Sequence, residues 1–173
     1  ENRGFFCRPV KRIFFLGMGG SSAAGNIVSS ICMQLGIDHV SEIDPCNIPR
    51  TVGQNDLVIV VSCSGNTWET VEAAKTLHKQ NSNVLAISRG GKLGELAKSL
   101  DFPIILMLQE KSQPREEIGS FIGILLELLG QVEFFDTKNL IDRLKAHIGQ
   151  ILPRLQERET YSEFFGLVGT RTH

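Results

Sequence analysis

Residues 58–72, Val-Ile-Val-Val-Ser-Cys-Ser-Gly-Asn-Thr-Trp-Glu-Thr-Val-Glu, constrain this chain more than any other stretch. Four consecutive β-branched residues, 58–61, suit a central parallel strand covered on both faces. The run stops at Ser62, and Ser64, Gly65, Asn66 and Thr67 follow at the strand's C-terminal end. From Trp68 the spacing of Val71, Ala74 and Leu77 predicts a helix with one buried face. A strand, a short hydroxyl-rich turn and a helix N-terminus together offer hydroxyls, backbone N–H groups and a favourable dipole. All three favour an anion, and phosphate fits best. In an open α/β sheet, ligands bind at this edge.

The remaining elements alternate in the same way. Residues 11–17 read as a strand, and Met18-Gly-Gly-Ser-Ser-Ala-Ala-Gly-Asn leads without a gap into a helix ending near 35, with Ile27, Ile31 and Leu35 on one face and Gly36 as terminator. Residues 39–44 form a short strand, 45–55 a loop with two prolines, 56–62 the third strand and 68–80 its helix. Residues 83–88 are the fourth strand, 89–92 a turn, 93–100 a short helix and 102–108 the fifth strand. Pro114 opens an apolar helix through 129, to be buried by the core and by a partner. Asp136 or Thr137 caps a last amphipathic helix. Strands alternating with helices imply right-handed βαβ units, hence an α/β three-layer sandwich on a five-stranded parallel sheet in the flavodoxin-like order 2-1-3-4-5.

With 173 residues the chain is long enough for one domain with a sizeable core. Its 42% hydrophobic and 21% charged residues are ordinary for a soluble globular protein. A net charge of -1 argues against a general nucleic-acid binder. No apolar run reaches membrane-spanning length, and the first residues do not resemble a signal peptide. Cys7, Cys32, Cys46 and Cys63 form no Cys-x-x-Cys pair, which disfavours zinc and thioredoxin-like readings. They suit reduced thiols in a cytoplasm. Cys63 lies inside the key turn; a small residue turned into the core is the better reading than a nucleophile, since no histidine stands nearby in the sequence to activate it.

Four stretches carry candidate chemistry. Gly17-Met-Gly19-Gly20-Ser21-Ser22 opens the first strand-to-helix turn. It is a partial dinucleotide fingerprint whose third glycine position is Ser22, with Glu42 or Asp44 about twenty residues on; alternatively its glycines only permit a tight turn. In Ser62-Cys-Ser64-Gly65-Asn66-Thr67, hydroxyls at i, i+2 and i+5 converge on one phosphate with N–H groups of residues 65–67, or they merely cap the helix. Glu69 and Glu72 repel an anion if they face it, and otherwise complement the helix dipole. Ser88-Arg89-Gly-Gly-Lys92 lies on the same sheet edge, either adding charge to the pocket or forming a solvated turn. Arg115, at the start of the apolar helix, can hold a phosphate or an enediolate, or pair with Glu110, Glu116 or Glu117. The histidines are scattered and read as surface residues.

Together, Gly17-Met-Gly-Gly-Ser21, Ser62-Cys-Ser-Gly-Asn-Thr-Trp68, Ser88-Arg-Gly-Gly-Lys-Leu93 and Pro114-Arg-x-x-x-Gly119 resemble the sugar isomerase (SIS) domain. More narrowly, they resemble the N-terminal half of the bifunctional phosphoglucose/phosphomannose isomerases. The resemblance spans residues 12–135. It implies two such domains in tandem, and interconversion of glucose 6-phosphate or mannose 6-phosphate with fructose 6-phosphate. It also implies that Ser62, Ser64 and Thr67 bind phosphate with Gly65 and Asn66, that Gly19, Gly20 and Ser21 lie near the sugar, and that Arg115 steadies a cis-enediolate. No metal or organic cofactor is implied. The family's glutamate base and ring-opening histidine belong to the second domain, so the base is unassigned here.

The expected organisation is a SIS domain over 1–135, a linking helix over 136–163, and the start of a second, cut-short SIS domain at 164–173. The expected partners are a sugar phosphate and either a second SIS domain or another copy. A regulatory sugar-phosphate-binding module without turnover is the alternative, and a nucleotide-binding domain is disfavoured by the serine-rich turn.

Overall fold

Five parallel strands line up in the order β2-β1-β3-β4-β5. They are β1 (Arg12–Gly17), β2 (Val40–Ile43), β3 (Asp56–Ser62), β4 (Asn83–Ser88) and β5 (Ile104–Leu106). Four helices alternate with them: α1 (Gly20–Gln34), α2 (Trp68–Lys79), α3 (Gly91–Leu100) and α4 (Ile118–Gln131). This computed structural model describes residues 10–34, 36–107 and 117–131. The chain divides into two compact units, Glu1–Val132 and Glu133–His173. The expected last helix and the segment 164–173 lie outside the described residues, as does Arg115.

The expected class and strand order are those observed. All seven residues of β3 are buried, which its continuous apolar run required of a strand covered on both faces. The strand pairs with β1 on one side, Phe15 opposite Ile59, and with β4 on the other, Ile59 opposite Leu85. Alternate residues face opposite ways. Phe14, Leu16, Val58, Val60, Val84 and Ala86 join Val71, Ala74 and Leu77 of α2 and Leu93 and Ala97 of α3 in one core cluster. Phe15 turns the other way, toward α1, and α1 packs beside α4. The expected stripe Val71, Ala74, Leu77 of α2 is buried.

Several details differ from the sequence expectations. The buried face of α1 is Ala24, Gly25, Val28 and Cys32, whereas Ile27 is 42% exposed. Close packing is the reason. A Cβ at Gly25 would stand 2.8 Å from Phe15 Cβ, so α1 lies against β1 where its side chains are smallest. The α3 helix begins at Gly91 rather than after Lys92. The β5 strand is an edge of three residues, with Leu106 60% exposed. Phe102, expected to begin that strand, instead packs against His78 of α2, ring centroids 6.2 Å apart. On α4, Phe121, Leu125, Leu128 and Leu129 are buried, which leaves Ile118, Ile122, Ile124 and Leu126 partly exposed.

At the N-terminal ends of the two interior strands β1 and β3, a bidentate ion pair joins their first residues. Arg12 Nε and Nη2 donate to Asp56 Oδ1 and Oδ2, each at 2.8 Å, and Gly53 N–H donates to Oδ2 at 2.8 Å. Burial alone raises the Asp56 carboxyl, but the bonds from Arg12 and Gly53 outweigh it and hold the group below its usual value.

Candidate functional site

Strand order reverses between β1 and β3, since β1 leads back to β2 while β3 leads on to β4. The turns after these strands therefore diverge and leave a crevice between them. Gly19, Gly20 and Ser21 stand at the end of β1, with φ +56° at Gly19 and the helix starting at Gly20. Ser62, Ser64, Gly65, Asn66 and Thr67 stand at the end of β3. The two turns touch: Cys63 N–H donates to Ser21 Oγ at 3.3 Å. The structure thus brings the first two sequence motifs together on one edge.

Within the second turn the hydroxyls have different surroundings. Ser62 is 1% exposed, and its Oγ donates to Thr67 Oγ1 at 3.4 Å. Ser64 is exposed; its Oγ accepts the N–H of Asn66 at 3.2 Å. Thr67 is the N-cap of α2, yet its side chain makes no capping bond, so the hydroxyl is not consumed by the first N–H groups of the helix. Thr67, the expected cap, thus caps α2 through its backbone position and not through its hydroxyl. Glu72 pairs with Lys75 at 2.5 Å along the helix, which balances its charge.

The third motif braces the second. Arg89 N–H donates to Cys63 O at 3.1 Å, Leu93 N–H to Gly65 O at 2.8 Å, and Lys92 N–H to Asn66 Oδ1 at 3.2 Å. Gly65 has φ +68°, and a Cβ there would overlap the Gly90 carbonyl oxygen and approach Ser88 Oγ to 2.6 Å. Ser88 Oγ in turn accepts the Gly90 N–H at 3.2 Å. Arg89 is neither in a solvated turn nor aimed into solvent: its side chain is 18% exposed and forms an ion pair with Glu117. From the sequence, Glu117 is a candidate partner of Arg115. Its pairing with Arg89, and the thiol of Cys63 donating to its Oε2 at 3.0 Å, have no signal in the local sequence because the residues are far apart along the chain.

The acidic residue at the end of β2 has its own partner. Oriented to satisfy both neighbours, the Asn26 amide donates from nitrogen to the Glu42 carboxylate and accepts from Ser22 Oγ at 3.3 Å. Partial burial raises the Glu42 carboxyl above its usual value. Glu42 is thus engaged with α1, unlike a carboxylate reserved for a ribose, and this weighs against the dinucleotide reading. Among the described residues no group of three or more His, Cys, Asp or Glu is placed to hold a metal ion. No helix among them is long and apolar enough to cross a membrane.

The edge gathers groups that suit an anion chemically: the exposed Ser64, the Thr67 hydroxyl and the N-terminus of the 12-residue α2, with Ser21 of the neighbouring turn bonded to the Cys63 N–H. Known proteins share stretches of this sequence and its fold. The chain is 31% identical over 162 residues to a bifunctional phosphoglucose/phosphomannose isomerase of Caldicellulosiruptor bescii, covering 86% of this chain and 43% of that protein. It is 37% identical over 118 residues to the protein so named of Thermoplasma volcanium, covering 68% of this chain and 36% of that one. The chain therefore spans less than half the length of these two relatives. The tagatose-6-phosphate ketose/aldose isomerase of Escherichia coli has the same fold, with a TM-score of 0.54 at 21% identity over 68% of this chain and 36% of that chain. The SIS domain family model matches residues 7–126, which hold the sheet, α1 to α3, the first part of α4 and both turns of the crevice, and the chain belongs to the SIS domain family.

Proposed function

We propose that this chain is the phosphosugar-binding half of an aldose–ketose isomerase that interconverts glucose 6-phosphate or mannose 6-phosphate with fructose 6-phosphate. The observation that carries the reading is the Thr67 hydroxyl, left uncapping at the start of α2 beside the exposed Ser64. The names of the curated relatives supply the substrate pair. The tagatose-6-phosphate ketose/aldose isomerase supplies a protein of the same fold named for a sugar phosphate. Bound phosphate provides binding energy remote from the reacting carbons, which orients C1 and C2 for proton transfer through an enediolate. Arg115, outside the described residues, is proposed to steady the enediolate charge. A carboxylate base carries the proton; it is proposed to come from a second SIS domain or another copy of the chain.

Isomerisation of glucose 6-phosphate and mannose 6-phosphate, and thermal protection by either or by fructose 6-phosphate, test this on the chain and on Ser64→Ala/Thr67→Ala. Protection of the unmutated chain alone is expected, with little or no turnover. Turnover abolished by the double substitution would show that the chain completes its own site. Neither protection nor turnover would overturn the phosphosugar reading.

A further inference from the structure

Cys63 is bonded through all three of its polar groups to three different segments. Its N–H donates to Ser21 Oγ on α1 at 3.3 Å. Its carbonyl accepts from Arg89 N–H after β4 at 3.1 Å. Its thiol donates to Glu117 Oε2, just before α4, at 3.0 Å. The ion pair between Glu117 and Arg89 closes the circuit. Glu117 is 5% exposed and Cys63 8% exposed, so the network is internal. A buried carboxylate beside an anion-binding turn opposes the anion unless a cation neutralises it, and Arg89 is that cation.

We propose that Glu117 is a positioning residue for the phosphate-binding turn, acting through Cys63 and Arg89; this rests on the phosphosugar reading above. Cys63 directly precedes Ser64, and Arg89 directly precedes the Gly90 carbonyl that seats against Gly65. Glu117 holds the side chains of both. It thereby sets the register of the turn that presents Ser64 and Thr67, while itself touching no ligand. Networks of this kind contribute more than single deletions of their members suggest.

The test uses the full 173-residue chain with Glu117→Gln, Cys63→Ala, Cys63→Ser, and Val84→Ala as a core variant remote from the turn. Fructose 6-phosphate affinity is expected to fall about tenfold in Glu117→Gln and Cys63→Ala. Cys63→Ser, whose hydroxyl still donates, is expected to recover most of it. Val84→Ala lowers the melting temperature but leaves the affinity unchanged, which separates positioning from simple destabilisation. If Glu117→Gln does not fold, the Cys63→Ala and Cys63→Ser pair decides. Affinity in Glu117→Gln or Cys63→Ala equal to that of Val84→Ala overturns the proposal. If the unmutated chain binds no sugar phosphate, the phosphosugar reading fails and backbone hydrogen exchange decides the positioning role. Faster exchange over 63–67 in Glu117→Gln but not in Val84→Ala upholds it, and unchanged exchange overturns it.

Discussion

Gly65 and Gly90 meet so closely that there is no room for a side chain on the former: a Cβ at Gly65 would overlap the Gly90 carbonyl oxygen. The contact joins the turn after β3 to the turn after β4, and the bond from Leu93 N–H to Gly65 O at 2.8 Å runs beside it. Two motifs that read as separate candidates in the sequence are one structural unit.

Gly65→Ala is expected to be damaging for two reasons. The residue has φ +68°, which costs a non-glycine residue about 1–3 kcal/mol, and the methyl group must displace the Gly90 backbone. Stability loss of at least about 2 kcal/mol in urea unfolding, with loss of sugar-phosphate protection, is the expected outcome. A stable Gly65→Ala that still binds would refute the close fit.

Ser21→Ala removes the acceptor of the Cys63 N–H. An unmade bond of this sort costs about 1 kcal/mol. The melting temperature should fall by a few degrees, and fructose 6-phosphate affinity several-fold, because Ser21 also lines the crevice. Calorimetric titration checks the second effect, and unaltered affinity would exclude Ser21 from the seat.

The Asp56 pair makes stability pH-dependent in a defined direction. Its folded-state value is below the ordinary 3.8, so its contribution is fully present above the unfolded value. That contribution is lost as pH falls from about 4 through the lower folded value. Asp56→Asn should cost about 2 kcal/mol at pH 7, where bonds to a charged group are lost, and should flatten the decline in melting temperature below pH 4. A variant as acid-sensitive as the parent would locate the acid response elsewhere.

Cys32 gives the opposite limb. Burial in the face of α1 that meets the sheet pushes its thiol up to about 11. The neutral form is favoured by folding, so its contribution holds below the ordinary 9.0 and is lost as pH rises from there toward about 11. Cys32→Ala should remove that part of the alkaline decline. In the native chain at pH 8, iodoacetamide should label the exposed Cys46 and leave Cys32 unmodified until unfolding; rapid labelling of Cys32 would contradict its burial.

Much of the fold is legible in the residue order. The β-branched run at 58–61 could only be satisfied by cover on both faces, and β3 is buried throughout. Alternation of strand and helix signals implied parallel pairing, and the hydroxyl-rich turn marked the crevice edge. These are local properties: side-chain branching, period and turn chemistry act over a few residues and are written consecutively. What the linear pattern misjudged was α1, where Ile27 and Ile31 resembled a buried stripe. The sheet instead selected Ala24, Gly25 and Val28, because helix-to-sheet distance near Phe15 leaves no space for larger side chains. The role of Arg89 and Glu117 was equally out of reach. A buried charge needs a partner, but sequence spacing does not say which one. Only the placement of Glu117, just before α4, against the ends of β3 and β4 joined it to Cys63 and Arg89. Residue order alone singled out the turn at which an anion is proposed to sit. Folding decided which side chains meet beside that turn, Cys63, Arg89 and Glu117, since contacts between residues distant in the chain exist only once the sheet has brought them together.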